Sequence, residues 1–176
     1  KDIWNINQIK NEFGDWTDDE YNAVPFEPAR KVFSNDNGIE GNTVWVIAGN
    51  TDYYDVIGAF NNMAQIEWLQ YANYEVDDIV YIYLTLPYAE ISYKCRVIAI
   101  NISGSERIID DFKYYKEENA LAVSDKYIRL ELLKSYPHNS LTLKKMRENG
   151  VVATFQGPTK ATGVLAELLK KLDKNI

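Results

Sequence analysis

Regular hydrophobic patterning begins at Thr43. The run "TVWVIAG" is β-rich, apolar and bounded by Gly and Asn, which predicts a buried strand. "NTDYYDVIGAFNNM" predicts a short helix capped by Thr51 or Asp52 that turns Val56, Ile57 and Phe60 inward. "IEWLQY" reads as a brief extended piece. "DIVYIYLTL" is a second strand, apolar on both faces and ended by Pro87. In "EISYKCRVIAINI" the alternation puts Ile91, Tyr93, Cys95 and Val97 on one face and Ser92, Lys94 and Arg96 on the other. "KYIRLELLKSY" alternates again, with Ile128, Leu130 and Leu132 inward and Arg129 and Glu131 outward. "SLTLKKMRENG" predicts a helix from Ser140 with Gly150 at its left-handed stop, and "VVATFQGPT" a last strand and turn. "ATGVLAELLKKLDKNI" is an amphipathic helix burying Val164, Leu165, Leu168, Leu169 and Leu172.

Two segments lack this regularity. Residues 1–42 hold short helix-compatible pieces, with Thr17 as an N-cap, broken by Pro25, Pro28 and the loop-like "SNDNGIEGN". They read as an N-terminal arm or linker whose Trp4, Trp16 and Phe33 dock on a domain spanning 43–176. Residues 103–125 are polar and read as a loop with limited structure. The elements predict an α+β domain: a small curled β-barrel of about five or six strands flanked by short helices, with no repeated βαβ unit.

Composition narrows the function. The 176 residues fit one domain with an appendage, and thirteen tyrosines supply rings that suit half-buried sheets and binding surfaces alike. The single cysteine, Cys95, excludes a disulfide framework and makes a reducing, cytoplasmic setting the default. No apolar run approaches the roughly 18 residues of a membrane span, so no membrane partner is expected. A chain that begins with Lys1 reads as a piece of something longer. The net charge of −7 argues against a generic basic nucleic-acid binder, but it is unevenly spread: −11 over residues 1–78 and +4 over 79–176.

Catalytic chemistry is hard to place. The only histidine, His138, lies in the turn "SYPHNSLT" and reads as a solvated turn residue. A triad or zinc site needs more histidines, or cysteines beside one. Cys95 on the apolar face of a strand reads as core. "GIEGN" and "ISGSER" lack the spacing of a phosphate loop. The acid pairs Asp77–Asp78 and Asp110–Asp111 read as solvated turns, because neighbouring residues on a strand point to opposite faces. No cofactor, no metal and no catalysis are expected.

The order of several motifs does resemble a family. "VWVIAGN" is followed by "DYYDVIGAF", the Trp-bearing "IEWLQY", and "VDDIVYIYLTLP" where the family shows "GD-x-V-Y-x-Y". Then come "EISYKCRVIAINI", "YIRLELL", "SLTLKKMRENG" and "FQGPTKATGVL". Over residues 43–172 this resembles the EVE domain of the PUA-like superfamily, as found in modification-dependent restriction systems. Asp77 stands where that family usually has Gly.

The resemblance implies a non-catalytic reader of a modified base, modified cytosine in duplex DNA foremost, flipped into an aromatic pocket. A nuclease or motor domain would lie upstream, outside this chain. Carried over by position, the pocket residues are Asn50, Tyr53, Trp68, Pro87, Tyr88, Gln156 and Gly157. Asn50 reads equally as a turn former, whereas Trp68 reads as a pocket wall ahead of core. Lys94, Arg96 and Lys160 are candidates for phosphate contacts or for an ordinary charged sheet face. An RNA-binding module and a protein-interaction domain remain the alternatives.

Overall fold

The computed structural model describes residues 3–4, 42–116, 121–122 and 126–174. Thr17, Trp16, Phe33, Glu117 and Glu118 lie outside the described residues. Strand β1 (Ile3–Trp4) pairs antiparallel with β6 (Leu121–Ala122).

The domain is α+β, built on one seven-stranded sheet. Its strands are β2 (Val44–Gly49), β3 (Gln65–Leu69), β4 (Ile79–Leu84), β5 (Glu90–Ser103), β7 (Lys126–Ser135), β8 (Leu141–Thr142) and β9 (Thr159–Lys160). The order is β3-β7-β5-β4-β2-β9, an open path rather than a closed ring, with β8 added to β5. Only β2 and β4 are parallel, joined by a crossover through helix α1 (Val56–Asn62) and β3. Five long strands match the number expected; β8 and β9 are two-residue additions.

Two cores lie on opposite faces of this sheet, which is why β4 is apolar throughout. Val80, Ile82 and Leu84 enter the first core with Trp45, Ile47, Ile66, Cys95 and Ile128. Tyr81 and Tyr83 enter the second, where helices α2 (Leu143–Glu148) and α3 (Gly163–Lys174) cover them with Met146, Leu165, Leu169 and Leu172.

Strict alternation fails where β4 meets the start of β5. Tyr93 and Ile91 lie opposite Ile82 and Tyr83, so a bulge inserts Ser92 and turns Ile91 into the second core while Tyr93, Cys95 and Val97 stay in the first. An extra residue in one strand reverses the faces beyond it.

The helix starts also shift from those expected. Asp55, not Thr51 or Asp52, caps α1, its carboxylate accepting from the Gly58 amide at 3.0 Å. A Cβ on Gly58 would sit 2.3 Å from that carboxylate, so the cap needs glycine there. Thr142, not Ser140, caps α2, and Gly150 at φ 90° follows it as the left-handed stop. In α3, Leu165, Leu169 and Leu172 are buried, whereas Val164 faces solvent.

Candidate functional site

The described residues form a cavity of about 230 Å³ on the first-core face, at the end of β2. Ile47 and Ala48 form its floor, Trp68 and Leu69 of β3 one side, and Gln156, Gly157 and Pro158, just ahead of β9, its rim. Tyr53, Tyr54, Tyr71 and Tyr115 complete the lining. Five aromatic rings therefore surround one small space. Among the described residues no carboxylate, ammonium or guanidinium lines it; the polar groups are amides and phenols.

The turn after β2 positions two of these rings. Asn50 Oδ1 accepts from the Asp52 amide at 2.9 Å, and its carbonyl accepts from the amides of Tyr53 and Tyr54. Asn50 is thus a turn former, and its Nδ2 is left without a protein partner among the described residues while the side chain borders the cavity. Tyr53 is 58% exposed at the mouth, whereas Tyr54 is buried. Trp68 stands edge-on to Tyr54 at 5.7 Å, and Tyr115 tilts against Tyr54 at 4.7 Å. Trp68 does both things the sequence left open: it packs on the first core and presents part of its ring to the cavity.

Of the seven residues proposed from sequence for a pocket, Asn50, Tyr53, Trp68, Gln156 and Gly157 meet in this cavity. Pro87 and Tyr88 do not. Although Thr85 is tied to Gly49 by an amide–carbonyl bond of 3.0 Å, the chain then swings toward the second-core side. Ala89 packs there, and Tyr88 lies edge-on to His138.

The phosphate candidates differ in their surroundings. Lys94 Nζ sits 2.6 Å from Asp173 of α3, and Arg96 Nη2 lies 2.5 Å from Glu131. Both charges are answered inside the fold. Lys160 lies opposite Trp45, its ammonium 5.1 Å from the Trp45 ring and on the cavity's face of the sheet.

Each acid pair keeps one member exposed, Asp77 and Asp110, and buries the other, so the solvated-turn reading fails for Asp78 and Asp111. Asp78 is buried and accepts from the Thr43 amide at 2.9 Å, Trp45 Nε1 at 2.8 Å and the Glu75 amide at 3.0 Å. Asp77 adopts φ 74°, the left-handed conformation that explains a family preference for Gly. His138 is exposed but not alone: its Nδ1 lies 2.6 Å from the buried Glu90.

Asp111 belongs to a buried cluster behind the cavity. Arg107 Nη2 meets Asp111 Oδ1 at 2.5 Å and Arg107 Nε meets Glu67 at 3.0 Å; Arg129 reaches Glu67 at 2.7 Å. The Tyr54 hydroxyl donates to Asp111 at 3.2 Å. Burial pushes the Asp111 carboxyl up to about 6, with Arg107 pulling against it. Burial, and then the Asp111 charge, push the Tyr54 phenol well above its ordinary range, so it remains a proton donor.

Sequence reasoning missed Tyr54, Tyr115 and this cluster. The available signal was "RIIDDF", in which Arg107 and Asp111 are four apart and interleaved with apolar residues. Among the described residues no group of three or more His, Cys, Asp or Glu is placed to hold a metal, and no helix is long and apolar enough to cross a membrane.

No protein-family model and no curated protein matches the sequence. Several solved structures are similar in backbone. Rpa0253 from Rhodopseudomonas palustris has a TM-score of 0.50 at 12% identity, covering 76% of this chain and 94% of its own. PSPTO5229 from Pseudomonas syringae has 0.50 at 10% identity, covering 73% and 98%. The ASCH protein from Zymomonas mobilis has 0.49 at 14% identity, covering 73% and 94%. The likenesses at 0.50 agree with the α+β architecture expected from sequence, and at these identities they speak to the fold alone. The resemblance to the PUA-like EVE domain rests on the order of sequence motifs.

Proposed function

We propose that this domain is a non-catalytic nucleic-acid reader that takes one modified base, modified cytosine in duplex DNA foremost, out of the stack and into the ring-lined cavity. The observation that carries the reading is the meeting of five aromatic rings and two side-chain amides, Asn50 and Gln156, around about 230 Å³ with no ionised group among the described lining residues. That volume is below the roughly 300–1,000 Å³ of sites for drug-sized ligands, so it suits a single planar ring system with a small substituent.

The energetics are consistent. Unpairing and unstacking a base costs a few kcal/mol. Stacking on an aromatic side chain returns roughly 1–3 kcal/mol per base. With Trp68 and a tyrosine on the base, and an amide edge contact of about 1 kcal/mol, the balance closes only when the base fits. A methyl-sized substituent filling apolar space near Ile47 adds about 0.8 kcal/mol, enough for several-fold discrimination. Lys160, and not Lys94 or Arg96, is the phosphate contact. In this reading the cutting chemistry of a restriction system lies on another domain.

Gel-shift titration separates the possibilities. Duplexes carrying 5-methylcytosine, 5-hydroxymethylcytosine or cytosine at one position are compared with RNA of the same sequence. Preference for a modified duplex is expected, and its loss in Trp68→Ala with an unchanged circular dichroism spectrum. Equal binding to every probe, or none at moderate salt, would refute the reading, and preference for the RNA would replace it with an RNA-binding one.

A further inference from the structure

The cluster behind the cavity contains more charge than the fold requires. The side chains of Arg107, Glu67 and Asp111 are 2%, 0% and 0% exposed. A buried ion pair is generally no more stabilising than apolar residues of the same shape, because desolvation offsets the attraction. Its value lies in fixing geometry, and the groups fixed here are pocket rings. Asp111 accepts from the Tyr54 hydroxyl through Oδ2 and from Arg107 through Oδ1. The Arg107 guanidinium lies 5.8 Å from the Tyr115 ring and 4.5 Å from the Tyr127 ring.

The segment that carries Tyr115 depends on this anchor. It belongs to no strand of the main sheet and joins the domain by a bridge between Tyr54 and Tyr115. Two backbone bonds flank that bridge, from the Asp55 amide to the Tyr114 carbonyl at 2.7 Å and from the Lys116 amide to the Tyr53 carbonyl at 3.0 Å. These are the backbone bonds from this wall to the rest of the domain among the described residues, and a wall that has to be ordered on binding lowers affinity, on the order of 0.5–1.5 kcal/mol per side chain.

We propose that Arg107, Asp111 and Glu67 are positioning residues for the cavity: their buried clasp holds the Tyr54 and Tyr115 rings in place before a ligand arrives. The proposal rests on reading the cavity as a base-binding site, and its test has one arm that does not. Amide hydrogen exchange is measured at Asp55 and Lys116 and along the β4–β5 ladder in wild type, Arg107→Lys and Arg107→Met. Binding of a duplex with a single 5-methylcytosine is measured in parallel.

Arg107→Met is expected to lower protection at Asp55 and Lys116 by more than about tenfold while the β4–β5 ladder changes little. Probe affinity falls by about tenfold or more, and Arg107→Lys restores part of both, the partial rescue a merely structural role would not give. If Arg107→Met fails to fold, Tyr54→Phe, which removes only the hydroxyl that reaches Asp111, carries the same comparison. Unchanged protection at the two amides overturns the proposal, as does lost protection with affinity within about twofold of wild type. A wild-type domain that does not retain the probe defeats the base-binding reading, while the exchange arm still decides whether the clasp holds the rings.

Discussion

Replacing Asp173 with asparagine tests how α3 is fastened. The carboxylate accepts from Tyr81 at 2.8 Å and from Lys94 at 2.6 Å, and it also takes the Tyr136 hydroxyl. It therefore ties the last turn of α3 to β4, to β5 and to the chain leaving β7. Hydrogen bonds to charged groups contribute about 1.5–3 kcal/mol each, and partial exposure puts these at the lower end. Asparagine keeps one acceptor and loses the charge, so the expected loss is about 2–3 kcal/mol, from urea unfolding followed by circular dichroism.

The pH dependence has a definite sign. Burial raises the Asp173 pKa, but hydrogen bonds from Lys94, Tyr136 and Tyr81 outweigh it and leave the group below its ordinary value. A lowered folded pKa means stability that is present above the unfolded value near 3.9 and lost as pH falls through the folded one. Wild type should therefore lose more stability than Asp173→Asn between neutral pH and pH 3. Equal acid sensitivity of the two, or a loss below about 0.5 kcal/mol at neutral pH, would show that the clasp contributes nothing and that Lys94 is free for other work.

Three further outcomes are expected. Asp77→Gly should be neutral or stabilising by up to about 1 kcal/mol, because φ 74° suits glycine, whereas Asp78→Ala should cost about 2–4 kcal/mol by leaving three donors unanswered; equal thermal shifts would refute the contrast. Cys95 should resist thiol reagents in the native state and react only on unfolding, since burial pushes its thiol pKa up; rapid labelling of folded protein would contradict the core placement. For DNA, Lys160→Ala should lower the slope of log affinity against log salt by about 1, while neutralising Lys94 and Arg96 should leave it unchanged.

The parts legible in the sequence were those governed by local period. β7 and α3 followed from alternation and from the helical repeat, β4 from a continuous apolar run, and five residues that line the cavity from the order of motifs. What escaped had long-range causes. The inward turn of Ile91 comes from a bulge that one strand's pattern does not announce. Glu67, in "IEWLQY", is buried because Arg107 and Arg129, far along the chain, arrive to pair with it. Asp111 was read as solvated for the same reason: its partners are fixed only once the segment folds back on β3.

The strand order also sets the tempo of folding. β4 and β5 are adjacent in the chain and make a local hairpin, but among the described residues β3 pairs in the sheet with β7 alone, with Gln65 opposite Glu131 and Leu69 opposite Tyr127. Closing a loop of that length must precede any gain from the pairing, and domains dominated by such distant contacts fold in milliseconds to seconds. On a ribosome, the Trp68 strand would wait with an open edge until β7 emerges. Stopped-flow fluorescence should accordingly show β3 docking late, with mutations in it speeding unfolding far more than they slow folding.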